Sequence, residues 1–468
     1  MRWIPLLLAL IVLAGCGSDA TDAPQAISQD ASSEGATSPV ETQTTQGSQA
    51  GQVQHTGDNR PISADQSTAD VAGASQAATT SGQLVAQAEV YIRRGLPGPA
   101  IESLSQAIGV DPDNSRAYAL RAGVYVAVGE NANALADFSA AIRLNPQDAK
   151  LHNARGFFFM ARRQLDRAET DFNQAVRLDA RFKQALNNRG LVKLARGDFE
   201  AAVTDFDLAL TRDPGYLDAQ NNRGYAKLRM GQHAAAIADF DTAIAADKSY
   251  HNAHNNRGLA HYQKEDYAAA VRDFTRAIEL QRFDSKYYRH RREALIKMDR
   301  TAEALQDAEK LVWLQNLATL NKKVVRAPRD LDVYLDRAGF YFKANEVEMA
   351  IKDLNLAQRL SPGNPVVLTR RAAVWTAMEM YRNAVNDSSE SIRIKPSQQA
   401  FSIRGDAYLE LGETRKAIDD YEKAKRIDAT VAEAYLRHSK DLEQQGDQDA
   451  ARKAQQQAYL FDPTLKQQ

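Results

Sequence analysis

Amide side chains recur in pairs in the middle of the chain, and an amide can both donate to and accept from a peptide bond. The pairs follow one another at intervals of 34 residues: Asn187 and Asn188, Asn221 and Asn222, Asn255 and Asn256. Asparagine is a mediocre helix former, costing roughly 0.5 kcal/mol relative to alanine. Two interpretations stay open: the amides bind the main chain of an extended peptide, or duplication has copied a common repeat residue.

Arginine and aspartate recur with the same period, each arginine preceding its aspartate by sixteen positions. Nine copies carry both residues: Arg121 and Asp137, Arg155 and Asp171, Arg189 and Asp205, Arg223 and Asp239, Arg257 and Asp273, Arg291 and Asp307, Arg337 and Asp353, Arg371 and Asp387, Arg404 and Asp420. Both charges are missing from the first copy, which has Gln87 and Ser103, and from the last, which has His438 and Ala454. A partly buried charge without its partner is costly. The matched losses therefore predict structural ion pairs within each repeat.

Two further clusters could bind a ligand. Lys286, Arg289 and His290 follow the last amide pair, and we interpret them either as an anion-binding end of the same surface or as a solvated charged face. His251, His254 and His261 share one helical face and could suggest a metal. No cysteine or helix-face carboxylate completes such a site. The sequence predicts neither a metal nor a cofactor.

These residues must be positioned by a repeated unit, because a fixed period in this range is typical of stacked repeats. Within one copy Gly190, Ala202 and Ala209 are small, Phe206 is aromatic, and Pro214 ends the copy. Large and small residues at helical spacing describe two antiparallel helices with tight crossings. The pattern resembles the tetratricopeptide repeat (TPR), which implies an all-α, right-handed superhelical solenoid of about eleven helix–turn–helix repeats. We expect seven repeats over 81–318, a basic insertion or joint over 319–330, and four repeats over 331–465.

The first eighty residues differ in kind from the repeats. A short apolar run ends in Leu13-Ala14-Gly15-Cys16, which matches a bacterial lipobox and predicts a signal peptide over 1–16 with lipidation at Cys16. Segment 17–80 has eight acidic residues against one arginine, a net charge of −7, and almost no large apolar side chain. Such a composition predicts a disordered linker. Gly17 after the cysteine implies, by resemblance to Gram-negative lipoproteins, an outer-membrane location facing the periplasm.

In the TPR family the first helices of the repeats line a concave groove. The resemblance therefore implies a non-enzymatic scaffold, attached to the membrane by its lipid, that binds peptide segments or partner proteins of a cell-envelope complex. The alternative is an enzyme-bearing or enzyme-regulating TPR lipoprotein with a small hydrolytic or metal site on the array. The charge lacks the concentrated basic patch that nucleic acid requires. The sequence leaves the oligomeric state open.

Overall fold

The computed structural model describes residues 80–467. The predictions for the lipidation site Cys16, the signal peptide and all but the last residue of the linker lie outside these residues. Between residues 80 and 467 the chain forms twenty-two α-helices and one 3₁₀-helix and contains no strand. The all-α fold predicted from the repeat pattern is confirmed, with eleven helix pairs.

Each repeat consists of a first helix with an odd number and a second helix with an even number. The first helices are α1 (80–93), α3 (Ser115–Val128), α5 (Ala149–Met160), α7 (Lys183–Arg196), α9 (Leu217–Arg229), α11 (His251–Gln263), α13 (Ser285–Lys297), α15 (Leu331–Lys343), α17 (Pro365–Ala377), α19 (Gln398–Glu410) and α21 (Ala429–Gln444). The second helices are α2 (Pro97–Val110), α4 (Asn131–Leu144), α6 (Leu165–Leu178), α8 (Phe199–Arg212), α10 (His233–Ala246), α12 (Tyr267–Leu280), α14 (Thr301–Arg326), α16 (Val347–Leu360), α18 (Tyr381–Ile394), α20 (Thr414–Ala424) and α22 (Gln448–Phe461). The 3₁₀-helix Pro463–Gln467 follows the last pair.

The two helices of a repeat approach closely because a glycine in the first helix faces an aromatic ring in the second. A Cβ atom on Gly190 would lie 2.6 Å from Cε1 of Phe206, and on Gly224 it would lie 2.7 Å from the same atom of Phe240. Both rings are fully buried. The ring therefore occupies the space that a larger residue would need, and this contact sets the spacing of the helix pair.

The chain forms two compact units, and the boundary between them falls between Ala304 and Leu305. In the described part of the first unit, buried apolar residues form a series of clusters along the array instead of one central core. The second unit has clusters of the same kind. Each repeat thus buries its apolar face against its sequence neighbours, as in other stacked arrays.

The predicted insertion 319–330 is helical over most of its length, because residues 319–326 continue α14. No glycine or proline occurs between Thr301 and Arg326, so nothing in the backbone ends the helix earlier. The short connection before α15 follows, and Asp330 caps α15 by accepting from the main-chain N–H of Asp332. The role of this segment as a joint between two blocks stays a prediction. No helix of the described residues is long and apolar enough to span a membrane.

Candidate functional site

The candidate site is the surface formed by the first helices of repeats 3 to 7, namely α5, α7, α9, α11 and α13, which we term the first-helix face. Successive first helices along this series contact one another directly. The predicted asparagines and the basic cluster all lie on these helices. The stacking therefore brings residues that are 34 or 35 positions apart in sequence into one continuous surface.

The asparagines form a ladder of side-chain hydrogen bonds between repeats, which we term the amide ladder. Each bond runs from Nδ2 of the second asparagine of a pair to Oδ1 of the first asparagine of the preceding repeat. The amide ladder has three such bonds, or rungs, each 3.0 Å long: from Asn188 to Asn153, from Asn222 to Asn187, and from Asn256 to Asn221. Asparagine at both positions is thus explained by a donor and an acceptor that meet across each repeat interface. The ladder also accounts for a weak helix former in three successive helices.

The rungs leave part of each amide uncommitted. Asn188 and Asn222 are partly buried, and among residues 80–467 neither Oδ1 atom accepts a hydrogen bond. Asn221 is only 1 % exposed, and its Nδ2 group has no hydrogen-bond partner in the described part of the chain. The amide ladder therefore presents two acceptors, on Asn188 and Asn222, to a peptide main chain, whereas the Nδ2 group of Asn221 is buried beneath the surface.

An apolar row that the sequence analysis missed runs beside the amide ladder. It lies one helical turn after the first asparagine of each pair and consists of Phe157, Leu191, Tyr225 and Leu259. All four side chains are partly buried, and each packs against one of the apolar clusters between repeats. Residues four apart share a helix face, so this row and the ladder lie side by side. The period of 34 could have identified the row, but its residue type varies between phenylalanine, leucine and tyrosine.

The basic cluster continues the ladder at its C-terminal end. His290 occupies the position of the second asparagine, and its Nδ1 lies 2.8 Å from Oδ1 of Asn255. The Nδ2 group of Asn255 donates to Oδ1 of Asn256. The Oδ1 atom of Asn255 therefore accepts the hydrogen bond from His290, and Nδ1 of His290 carries the hydrogen. Nζ of Lys286 lies 3.4 Å from Oδ1 of Asn252 and 3.2 Å from Oδ2 of Asp284. Arg289, on the same helix α13, is partly buried.

A carboxylate and a tyrosine form a buried polar contact near the start of α9. The hydroxyl of Tyr250 donates to Oδ1 of Asp218 at 2.8 Å. Burial raises the pKa of Asp218, and the hydrogen bond from Tyr250 lowers it by less. Burial, together with the nearby Asp218 charge, also raises the pKa of Tyr250. This contact joins repeats 5 and 6 at the edge of the first-helix face.

The structure brings together the arginine–aspartate pairs of repeats 2 to 6, five of the nine identified from the sequence. In each, Nε and Nη2 of the arginine contact the two oxygens of the aspartate of the same repeat, at 2.6 to 3.0 Å. The same geometry occurs at Arg337 and Asp353, Arg371 and Asp387, and Arg404 and Asp420. The bidentate geometry matches the fork of the guanidinium group. Hydrogen bonding to Asp239 and Asp273 raises the pKa of Arg223 and Arg257.

The third arginine nitrogen reaches the preceding repeat, a contact that the sequence analysis did not identify. Nη1 bonds a polar side chain on the second helix of that repeat. The acceptors are Ser105, Ser139, Asn173, Asp207 and Asp241 for the five arginines in chain order. Each arginine thus joins two repeats, with a buried carboxylate on one side and a more exposed acceptor on the other.

The histidines that could have suggested a metal make structural contacts. Nε2 of His254 lies 3.2 Å from the main-chain oxygen of Lys248, and its Nδ1 lies 3.7 Å from Oδ1 of Asp273. Nδ1 of His251 contacts the hydroxyl of Tyr287 at 2.6 Å, and Nδ1 of His261 lies 3.6 Å from Oδ2 of Asp266. Within the described residues no group of three or more histidine, cysteine or acidic side chains is placed to hold a metal ion.

Sequence profiles of the tetratricopeptide repeat match residues 85–149, 159–216 and 221–285, and a further profile of this repeat matches 399–430. The chain contains tetratricopeptide repeats. Its TPR region is similar to heat shock protein STI1 of Saccharomyces cerevisiae, with 31% identity over 101 residues, 21% of this chain and 17% of that protein. It is equally similar to serine/threonine-protein phosphatase 5 of Mus musculus, with 31% identity over 103 residues, 22% of this chain and 21% of the phosphatase. The matches thus span about a fifth of each relative.

The chain is also similar to two solved structures. PilW, described as a widely conserved type IV pilus biogenesis factor, is 21% identical, with a TM-score of 0.40 over 42% of this chain and 92% of PilW. The pilF protein of Pseudomonas aeruginosa is 18% identical, with a TM-score of 0.38 over 42% of this chain and 90% of pilF.

Proposed function

We propose that this TPR protein is a membrane-anchored scaffold that holds extended peptide segments of partner proteins in a concave groove formed by the first-helix face. The observation that carries the proposal is the pairing of the amide ladder with the apolar row on one surface. Amides suit a peptide main chain, and partly buried apolar side chains suit the side chains of the same peptide. TPR proteins bind peptide or protein partners, which supports this use of the array.

The step of the array supports one peptide conformation in particular. Helices in contact lie about 8–10 Å apart, and one turn of a polyproline II segment spans three residues, or about 9 Å. A peptide in this conformation would present the same face to each successive repeat. Its main chain has no internal hydrogen bonds, so its N–H groups are available to the Oδ1 atoms of Asn188 and Asn222. We therefore expect ligands with an apolar side chain at every third position.

The anchor and the location belong to the same proposal. The lipobox that ends at Cys16 would attach the chain to a bacterial membrane, and Gly17 favours the outer membrane facing the periplasm. Segment 17–80 would then act as a tether with a root-mean-square span of roughly 45 Å. The scaffold would organise a cell-envelope complex within reach of the membrane.

Quantitative enrichment of partners from crosslinked envelope fractions tests this function. The groove variant Tyr225→Ala/Leu259→Ala should lose most of the partners that the parent chain enriches, because two steps of the apolar row are removed. The control is Leu208→Ala on α8, a leucine 40 % exposed on a second helix, which should keep them. Unfolding curves of all three proteins verify that the arrays stay folded. Equal enrichment by the groove variant and the parent would place the partners on another surface and reject the proposal.

A further inference from the structure

A cavity lies away from the amide ladder, between the second helix of repeat 5 and the two helices of repeat 6. It has a volume of about 680 Å³ and lies between α10, α11 and α12. Its walls carry both basic and acidic groups: Lys248, His254, Arg257, His261, Arg272 and Arg276, together with Asp241, Asp266 and Asp273. Pockets of this size accommodate a small molecule.

The basic groups of the cavity differ in how far they are already neutralised. Arg257 is fully engaged, because its three nitrogens contact Asp273 and Asp241 at 2.6 to 2.9 Å. The side chains of Lys248 and Arg272 form no ion pair or hydrogen bond with any described residue and are exposed to solvent. Arg276 contacts only Glu279, in an exposed pair. Exposed pairs contribute little, so three cations are available to an incoming anion.

Internal comparison separates these cations from the repeat architecture. At the preceding junction, between repeats 4 and 5, the residues that correspond to Lys248, Arg272 and Arg276 are uncharged. They are Pro214, Ala238 and Thr242. That junction is formed by the equivalent helices α8, α9 and α10 and contains the equivalent ion pair, between Arg223 and Asp239. Stacking of the repeats therefore does not require the three cations.

The placement of the two arginines favours an oxyanion. Arg272 and Arg276 are four residues apart on α12, so both guanidinium groups project from one helix face. Adjacent guanidinium groups suit the bidentate recognition of phosphate. Lys248 adds a third positive charge from the connection between α10 and α11.

We propose that this cavity binds a small molecule carrying a phosphoryl group, with Arg272 and Arg276 contacting the phosphoryl oxygens and Lys248 adding charge. Lys248, Arg272 and Arg276 lie outside the first helices of the repeats, so this proposal does not depend on the peptide-binding function. The shared chemistry fits a soluble phosphate ester and a phospholipid headgroup alike, and the probes below distinguish them.

Calorimetric titration of the full chain with inorganic pyrophosphate tests the site. We expect a dissociation constant below about 1 mM and at least about tenfold weaker binding by Arg272→Ala/Arg276→Ala, since both phosphoryl contacts are lost. Lys248→Ala should weaken binding by a smaller factor. The matched control is Arg143→Ala/Arg177→Ala, which removes two exposed arginines of α4 and α6 that form no ion pair among residues 80–467.

The control should bind within about twofold of the parent chain, because the long-range effect of two distant charges is screened. An equal loss in both double variants would show nonspecific attraction and overturn the proposal, as would no binding by the parent at about 10 mM pyrophosphate. A second titration uses short-chain phosphatidic acid below its critical micelle concentration. Binding at least about tenfold tighter than pyrophosphate, and lost in Arg272→Ala/Arg276→Ala, identifies a lipid headgroup as the source. Comparable affinities identify a soluble phosphate ester.

Discussion

Removal of the Asp239 carboxylate should destabilise repeat 5 far more than removal of the other carboxylate bound by the same arginine. Asp239 is 5 % exposed and accepts hydrogen bonds from two nitrogens of Arg223 and from Nε2 of Gln220 at 2.8 Å. Nζ of Lys227 lies 2.8 Å from its other side. Asp239→Ala therefore removes the buried partner of Lys227 and Gln220 and leaves Arg223 with only the half-exposed Asp207.

The expected cost follows from these contacts. Loss of one partner of a buried pair costs about 3–5 kcal/mol. The side chains of Arg223 and Lys227 keep about a fifth of their surface exposed, so water can partly solvate them. We therefore expect about 3 kcal/mol. The control is Asp207→Ala, because Asp207 bonds Nη1 of Arg223 at 2.7 Å but is half exposed. Its loss should cost about 0.5 kcal/mol.

A double-mutant cycle with Arg223→Ala completes the test. Urea unfolding measures the loss in unfolding free energy of the whole array. Hydrogen exchange of the α9 and α10 amides measures the loss within repeat 5, since repeat arrays can unfold in parts. Arg223→Ala/Asp239→Ala should be less destabilised than the sum of the two single variants by about 2 kcal/mol. Additive losses, or an Asp207→Ala cost equal to that of Asp239→Ala, would refute the argument that the buried carboxylate stabilises the repeat.

Three further predictions concern packing, the anchor and pH. Gly224→Ala should destabilise the array by about 1–3 kcal/mol through overpacking against Phe240, whereas Gly109→Ala, at a helical position with open space, should stabilise it slightly in thermal unfolding. Cys16→Ser should be released from membranes by mild washing, and retention that needs detergent to reverse would contradict lipidation. Burial raises the pKa of Asp273, but hydrogen bonds outweigh this effect and leave the pKa below its usual value. Its contribution to stability is therefore present above about pH 4 and lost on further acidification, and urea unfolding of Asp273→Asn should depend less on pH in that range.

The period of 34 was sufficient to predict the helix pairs and their number, because each repeat contains its own packing contacts. Gly190 and Phe206, for example, lie in one repeat and meet through a short turn, so their spacing in sequence reports their distance in space. The arginine–aspartate pairing could be inferred for the same reason, since both partners are lost together from the end repeats.

The contacts between repeats could not be inferred in this way. The bond from Asn222 to Asn187 joins residues 35 positions apart, one more than the period, and depends on the rotation of one repeat against the next. The side chains that accept from Nη1 vary between serine, asparagine and aspartate, so no single residue type recurs at this position of the repeat. The 34-residue period is interrupted at residues 319–326, so the sequence predicts an insertion there, although helix α14 continues through these residues.

The peptide-binding claim is tested most directly by site-specific photo-crosslinking in intact cells, with the crosslinker placed in turn at Leu191, Tyr225 and Leu259. Neighbouring first helices lie about 8–10 Å apart, and extended chain rises about 3.1–3.4 Å per residue. Mass spectrometry should therefore find one partner segment whose crosslinked residue shifts by about three positions per repeat, with little capture by a crosslinker at Leu208. Crosslinks that show no ordered shift, or that form equally at Leu208, would contradict a peptide held along the first-helix face.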